Sequence, residues 1–328
     1  MPVVEASQPS AARQAARELA ERIGFAEADS YRVGIVATEL ATNLVKHATR
    51  GGAILVRATA DDPVKAVELI GIDRGPGMAN VDQSLSDGHS TVGSSGNGLG
   101  AIRRLSEEFD VHSIPNRGTA VYARLHAGRA ARAPAAFDVA AVSIPKDGET
   151  ACGDSWMVRR DARSMTALLA DGLGHGLLAA EAAQAAVAVM RAKVYQRCEQ
   201  AMTAIHDALR HTRGAAAAVL QIDRDAEVVR FAGVGNVAAH IVADGHVRQA
   251  ISHNGTLGHQ APHIREYVYP WRRGGIVVMH SDGVTAHWGL ESYPGLTVRQ
   301  AAMIAAVLYR DFSRGRDDAT VLVARETP

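Results

Sequence analysis

Four acidic positions in separate parts of the chain sit at the edges of apolar runs. Asp171 closes the run Met165–Ala170 inside Leu168-Leu-Ala-Asp-Gly-Leu-Gly-His-Gly176, and Gly153-Asp154 lies upstream. His280-Ser-Asp-Gly283 follows the run Ile276–Met279, and Arg316-Asp-Asp-Ala319 precedes the run Thr320–Val323. A short apolar run bounded by Gly reads as a buried strand. Each of these strands therefore holds a carboxylate at its tip. Carboxylates gathered from separate segments suit a hard divalent cation, since Mg²⁺ and Mn²⁺ favour carboxylate oxygens and water. Glycines at 172, 174 and 176 let backbone come close to whatever Asp171 holds. A single strand-end acid is most often a turn or cap residue; the set of four carries the reading.

A second constellation lies in the first 100 residues. Glu39, Asn43 and His47 recur at i, i+4 and i+8, which stacks them into one polar stripe on a helix. Asp73 ends an apolar run and is followed by Arg74-Gly-Pro-Gly-Met78. Gly93-Ser-Ser-Gly-Asn-Gly-Leu-Gly100 then leads into a helix. A Gly-rich loop feeding a helix start can cradle phosphate, because free N–H groups and the positive dipole end face the anion. No Lys-Ser/Thr follows, so this is not a Walker A loop, and no strand leads into it, as a dinucleotide fingerprint requires.

Both sets resemble known families. Cys152-Gly-Asp154, Ala170-Asp-Gly-Leu-Gly-His-Gly176, Ser281-Asp-Gly283 and Asp317-Asp-Ala-Thr320 resemble the metal-dependent PPM-type protein phosphatases of the SpoIIE and RsbX branch, over roughly the last 190 residues. Glu39-Leu-Ala-Thr-Asn-Leu-Val-Lys-His47, Asp73-Arg-Gly-Pro-Gly77 and Ser94-Ser-Gly-Asn-Gly-Leu-Gly-Ala-Ile-Arg-Arg104 resemble the GHKL-type serine kinases of the anti-sigma group, RsbT-like in type, over residues 5–126. The phosphatase resemblance implies two divalent ions, Mg²⁺ or Mn²⁺. Asp154 would bridge them, Asp171 and the Gly172 carbonyl would hold the first, and Asp282 and Asp317 the second. Asp154 and Asp171 would thereby serve catalysis. The kinase resemblance implies ATP. Asn43 would offer a neutral oxygen to Mg²⁺ beside the triphosphate, and Glu39 would take the proton of a substrate hydroxyl. Asp73 would accept from the adenine amine. Gly75 and Gly77 would let the chain pass close to the base. Gly96, Asn97, Gly98, Leu99 and Gly100 would form the lid over the phosphates.

The elements that must position these residues follow from periodicity. Helices are expected over Ser10–Ile23 and Ala28–Ala48, and strands over Ala53–Ala58 and Val64–Ile72, the two strands forming a hairpin. The segment 79–97 reads as loop, Ala101–Glu108 as helix, and Phe109–Ile114 and Thr119–Leu125 as strands. Residues 127–136, Ala-Gly-Arg-Ala-Ala-Arg-Ala-Pro-Ala-Ala, have linker composition. Beyond it, strands are expected at Val139–Ile144, at the Asp171 run, at 214–222, 228–234 and 237–242, and at Val268–Trp271 and Ile276–Met279. Helices are expected at 176–194, 199–211 and Thr297–Tyr309. The expected class is α/β (α+β): an α/β sandwich with one layer of mixed sheet over residues 1–126, a linker over 127–136, and a PPM-type αββα sandwich over 137–328.

Composition narrows the function classes. The chain has 328 residues, 47% of them hydrophobic, enough for two cores. Lys+Arg and Asp+Glu number 35 each, so no global basic field argues for nucleic acid. Cys152 and Cys198 are far apart and outside any CxxC pattern, which fits a reducing compartment. No secretory signal and no membrane span are legible, so the expected location is cytoplasmic. The expected function is a bifunctional signalling regulator. An ATP-binding serine kinase domain and a phosphoserine phosphatase domain would act on STAS-type anti-sigma antagonists or stressosome proteins. Two alternatives stand beside it: an ATP-dependent binding module joined to a phosphatase, and a direct sigma-factor binder.

Overall fold

A computed structural model describes residues 1–49, 51–59, 64–85, 98–128 and 135–327. The chain divides into two compact units: residues 1–134 with 298–310, and residues 135–297 with 311–328.

In the first unit, β1 (Pro2–Val3) precedes helices α1 (Gln8–Arg22) and α2 (Glu27–His47). Strands β2 (Gly52–Ala58) and β3 (Ala66–Asp73) form the expected hairpin. Helices α3 (Val81–Ser84) and α4 (Gly98–Leu105) follow, then β4 (Glu108–Ile114) and β5 (Gly118–His126). The sheet order is β1-β2-β3-β5-β4. Every pairing in it is antiparallel, where a mixed sheet was expected. The reason is the β4–β5 hairpin. It folds back so that β5, not β4, lies beside β3, and no parallel neighbours remain. Ala12, Ala16 and Ala20 of α1 and Val33, Val36, Leu40 and Leu44 of α2 bury one stripe each on Ile54, Leu69 and Leu125 of the sheet. Within the segment 79–97, expected as loop, residues 81–84 are helical, capped by the Asn80 side chain, which accepts from the Gln83 N–H at 3.0 Å. The segment 86–97 and most of the expected linker, 129–134, lie outside the described residues.

The second unit is built on two facing sheets. The first has the order β13-β10-β9-β8-β7, with β14 also beside β10. The second has the order β12-β11-β15-β16-β6. In chain order the strands are β6 (Phe137–Ile144), β7 (Asp154–Arg160), β8 (Ser164–Gly172), β9 (Ala215–Asp223), β10 (Val228–Val234), β11 (Ala238–Ala243), β12 (His246–Gln249), β13 (Ser252–His253), β14 (Tyr267–Pro270), β15 (Ile276–His280) and β16 (Ala319–Glu326). Helices α5 (Leu177–Ala192) and α6 (Cys198–Ala208) follow β8. Helix α7 (Ala301–Phe312) falls mostly within the segment grouped with the first unit.

Strand parity decides which side chains meet between the sheets. Phe137 and Ala141 of β6, Ala167 and Leu169 of β8, Val277 and Met279 of β15, and Leu322 and Ala324 of β16 all enter the shared core. Trp156 and Val158 of β7 pack against it. The opposite parity on β8, Leu168 and Ala170, turns outward. It meets the small and apolar side chains of α5 and α6, among them Ala183, Val187, Met202 and Ile205. Continuing the inward parity to one end of the strands reaches Ser143, Asp154, Asp171, Ser281 and Thr320. That end holds the acids.

Candidate functional site

Asp154 and Asp171 are cross-strand partners of β7 and β8. The Gly172 N–H donates to the Gly153 carbonyl at 3.1 Å. That makes Gly153 and Gly172 the hydrogen-bonded pair, so Asp154 and Asp171 form the next, narrow pair, where side chains stand closest. Asp154 is buried, and its Oδ2 accepts from the Ser281 hydroxyl at 2.7 Å. Ser281 Oγ in turn accepts from the Thr320 N–H at 3.0 Å, and Thr320 Oγ1 lies 2.7 Å from Ser143 Oγ. A run of hydroxyls on β6, β16 and the end of β15 thus holds an acid on β7 of the other sheet. Ser281 and Thr320 fall within the sequence motifs of the acids, and no local pattern assigns them a role. They are the positions at inward parity beside the acids.

Asp282 lies two residues beyond β15, where the β11–β15 register carried onward sets it opposite Asn236. The Asn236 amide donates to Asp282 Oδ2 at 2.5 Å. Asp171, Asp282 and Asp317 share the wall of one cavity of about 530 Å³ with Leu173, Gly174 and His175. Asp318 is a further acid at the same end, for which the sequence pattern alone gives no role. It is 3% exposed, its Oδ1 accepts from the Lys146 N–H at 2.9 Å, and its Oδ2 stands 2.6 Å from where a Cβ on Gly153 would lie. His175 pairs with Glu149 at 2.5 Å beside the same turn.

Electrostatics sets these acids apart. Burial pushes Asp171 up to about 9, with the charges of Asp154, Asp282, Asp317 and Asp318 adding to it. Asp154 is pushed up to about 7, again chiefly by burial. Asp282 is raised by burial and by Asp317. Asp154 Oδ1 and Asp318 Oδ2 are buried without a partner. Among the described residues no three such groups already stand in a ligand cage; the acids are gathered and mutually repelling. A group of carboxylates that cannot all ionise together, with buried oxygens left open, fits divalent cations as counter-charge.

In the first unit, a cavity of about 360 Å³ is lined by Asn43 and His47 of α2, Asp73 at the end of β3, Gly77, Met78, Gly98 and Leu99 of α4, and Thr119 of β5, among others. Asp73 Oδ1 accepts from the Gly75 N–H at 2.7 Å, and burial raises its carboxyl. Glu39 and Asn43 converge on the start of α4: a Cβ on Gly98 would lie 3.2 Å from Glu39 Oε2 and 3.0 Å from Asn43 Oδ1. Asn43 Nδ2 is buried without a partner. Gly77 and Leu99 line the cavity, while Gly75 holds Asp73 from behind and Gly100 is buried within α4. Gly96 and Asn97 lie outside the described residues. His47, the third residue of the polar stripe, is on the cavity wall.

The family model described as Stage II sporulation protein E (SpoIIE) matches residues 161–326. The chain belongs to the SpoIIE family. Its C-terminal part is a protein serine/threonine phosphatase, with the two-sheet fold and the four acids of the resemblance. A model described as a histidine kinase-like ATPase domain matches residues 4–125, so this SpoIIE-family chain carries an ATPase-type domain as well. Serine/threonine-protein kinase RsbT of Bacillus subtilis (strain 168) is 36% identical over 113 residues, 34% of this chain and 84% of RsbT. Phosphoserine phosphatase RsbX of the same organism is 26% identical over 142 residues, 43% of this chain and 71% of RsbX. The solved structure reported under "The bacterial stressosome: a modular system that has been adapted to control secondary messenger signaling" is 29% identical. It has a TM-score of 0.54 and covers 58% of this SpoIIE-family chain and 99% of its own. The crystal structure of RsbX in complex with magnesium shares the fold, at 20% identity and a TM-score of 0.50, over 58% of this chain and 96% of its own. The family is that of a kinase-like ATPase domain and a phosphatase of partner-switching type.

Proposed function

We propose that the chain removes phosphate from phosphoserine on a STAS-type anti-sigma antagonist or stressosome protein, and that its first domain phosphorylates the same class of partner from ATP. The observation that carries the phosphatase site is the mutually repelling group of buried Asp154 and partly buried Asp171, Asp282 and Asp317 at one end of the sandwich. These four, with the Gly172 carbonyl, are the residues that would hold Mg²⁺ or Mn²⁺. Bound divalent ions lower the proton affinity of coordinated water and offset charge that develops on a phosphoryl group. The chain's own contribution is positional. Ser281 and Thr320 fix Asp154, Asn236 orients Asp282, and the glycine turn after Asp171 opens the cavity to a phosphorylated segment.

In the first domain, Asp73 is the acceptor that would read the adenine amine, and Asn43 the neutral oxygen that would face a triphosphate-bound Mg²⁺. Glu39, one turn before Asn43, would take the proton of a serine hydroxyl. RsbT is named a serine/threonine-protein kinase and RsbX a phosphoserine phosphatase. Joining both kinds of domain in one chain supports opposed activities on one partner. The expected setting is the cytoplasm; among the described residues no helix is long and apolar enough to cross a membrane.

The test is the steady-state phosphoserine fraction on a STAS partner, read by mass spectrometry with ATP and Mn²⁺ varied separately. Glu39→Ala should leave a pure phosphatase, and Asp154→Asn a pure kinase that drives the partner towards full phosphorylation. Wild type should give an intermediate fraction that rises with ATP. Equal fractions for Glu39→Ala and wild type at every ATP level would show that the first domain is a binding module on that partner. Unchanged phosphate release by Asp154→Asn would remove the metal assignment.

A further inference from the structure

A phosphate entering a cavity walled by carboxylates would be drawn in by a cation of the chain's own at the entrance, beside the counter-charge that bound divalent ions would supply. The turn Leu173-Gly-His175 lines the same cavity as the acids. Its Leu173 N–H donates to the Gly214 carbonyl at 3.0 Å, which ties it to the turn carrying Arg213. Gly174 has φ of +90° and Gly214 φ of +79°, so both turns use backbone that favours glycine. A guanidinium nitrogen of Arg213 stands 3.2 Å from where a Cβ on Gly174 would lie. The absent side chain at Gly174 is therefore what gives Arg213 access to the cavity lip.

Arg314 and His175 also lie near the acids. The Arg314 charge bears on Asp282 and lowers its hold on a proton. His175 is paired with Glu149. The Arg213 side chain is exposed, and among the described residues it has no ion pair or hydrogen bond; only its backbone carbonyl is used, by His259 Nε2 at 3.0 Å. An Arg fork held free at the lip of an acidic cavity suits bidentate contact with a phosphate.

We propose that Arg213 is the side chain that grips the phosphate of the substrate, as a binding and specificity residue for phosphomonoesters. This rests on the phosphatase reading of the same cavity. Arg213→Ala removes the grip without touching the acids, and the exposed position keeps the fold intact.

The experiment uses the full chain loaded with Mn²⁺, with inorganic phosphate and p-nitrophenyl phosphate as probes. Calorimetry gives the phosphate Kd, and turnover gives KM and kcat. For Arg213→Ala the phosphate Kd and the KM should rise about 10- to 100-fold, the loss expected for a charged hydrogen-bonding group. Mn²⁺ affinity and Tm should stay at wild-type values, and Arg213→Lys should recover part of the binding. Arg210→Ala, which removes an arginine paired with Asp207 on the surface, should leave all four quantities unchanged. A phosphate Kd and KM within twofold of wild type in Arg213→Ala would overturn the assignment. Absence of turnover in the wild type would count against the phosphatase reading instead, and the calorimetric arm would still decide Arg213.

Discussion

At the scale of single residues, the acids are defined by what burial does to them. Asp171 and Asp154 are held near 9 and 7, well above the ordinary carboxylate range. The folded chain therefore keeps protons that the unfolded chain releases near pH 4. The stability linked to these groups is fully present below that pH and is lost as pH rises through about 7 and then about 9. Divalent ions at this site would displace the protons and supply the missing counter-charge. With chelator present, Tm should fall steadily between pH 5 and pH 8. Mn²⁺ should restore it most at the upper end. Thermal scans of wild type and Asp171→Asn check this: the substitution should remove most of the slope, and equal slopes would count against it. The four acids were legible in the sequence because each stands at the edge of a strand-like run, beside a glycine or another acid. Asp318, Arg213 and the Ser281–Thr320 pair were not. Their importance comes from strand parity and from turns that meet only once the sheets face each other.

At the scale of elements, the first turn of α5 is seated on the end of β8. A Cβ on Gly172 would collide with the Ala179 carbonyl, and the alanines at 179, 182, 183 and 186 let α5 lie close against the sheet. Gly172→Ala should push the helix start away from Asp171 and cost about 1–3 kcal/mol, as overpacking does. Circular dichroism melts and Mn²⁺ titration together test it. Both stability and metal affinity should drop, and a loss of neither would show that the helix yields without moving the acid. Element types were legible along most of the chain, since 3.6 and 2.0 periodicities are strong in the helices and in the runs around the acids. What failed was local. Helix Ala301–Phe312 begins four residues later than expected, and short edge strands such as His246–Gln249 carry too few apolar residues to stand out. The antiparallel first sheet was missed because pairing order is a long-range property that no local pattern encodes.

At the scale of the whole molecule, the two cavities are built from non-overlapping residues. Their ligand binding should be separable. Asp73→Asn should weaken ATP binding and reduce the preference for ATP over GTP while Mn²⁺-dependent phosphate release continues. Asp171→Asn should do the reverse. Paired nucleotide titrations and phosphate-release assays on both variants decide it, and loss of both functions in either variant would contradict it. A division into two domains was expected from the change of motif across residues 127–136. The grouping of residues 298–310 with the first unit could not, since a helix written late in the chain gives no sign of which core it will join.

The Ser281 hydroxyl donates to Asp154 and accepts from the Thr320 N–H. Both of its roles are taken, so its single rotor has one allowed orientation. A saturation library at this position would therefore have a very short list of survivors. Alanine and valine forfeit both contacts. Cysteine offers a weak donor on a longer bond, and asparagine has no room at a fully buried site. Threonine alone keeps the hydroxyl and adds one methyl. At the acids themselves a library would report on the cation; at 281 it would report on the geometry that makes the cation's site possible.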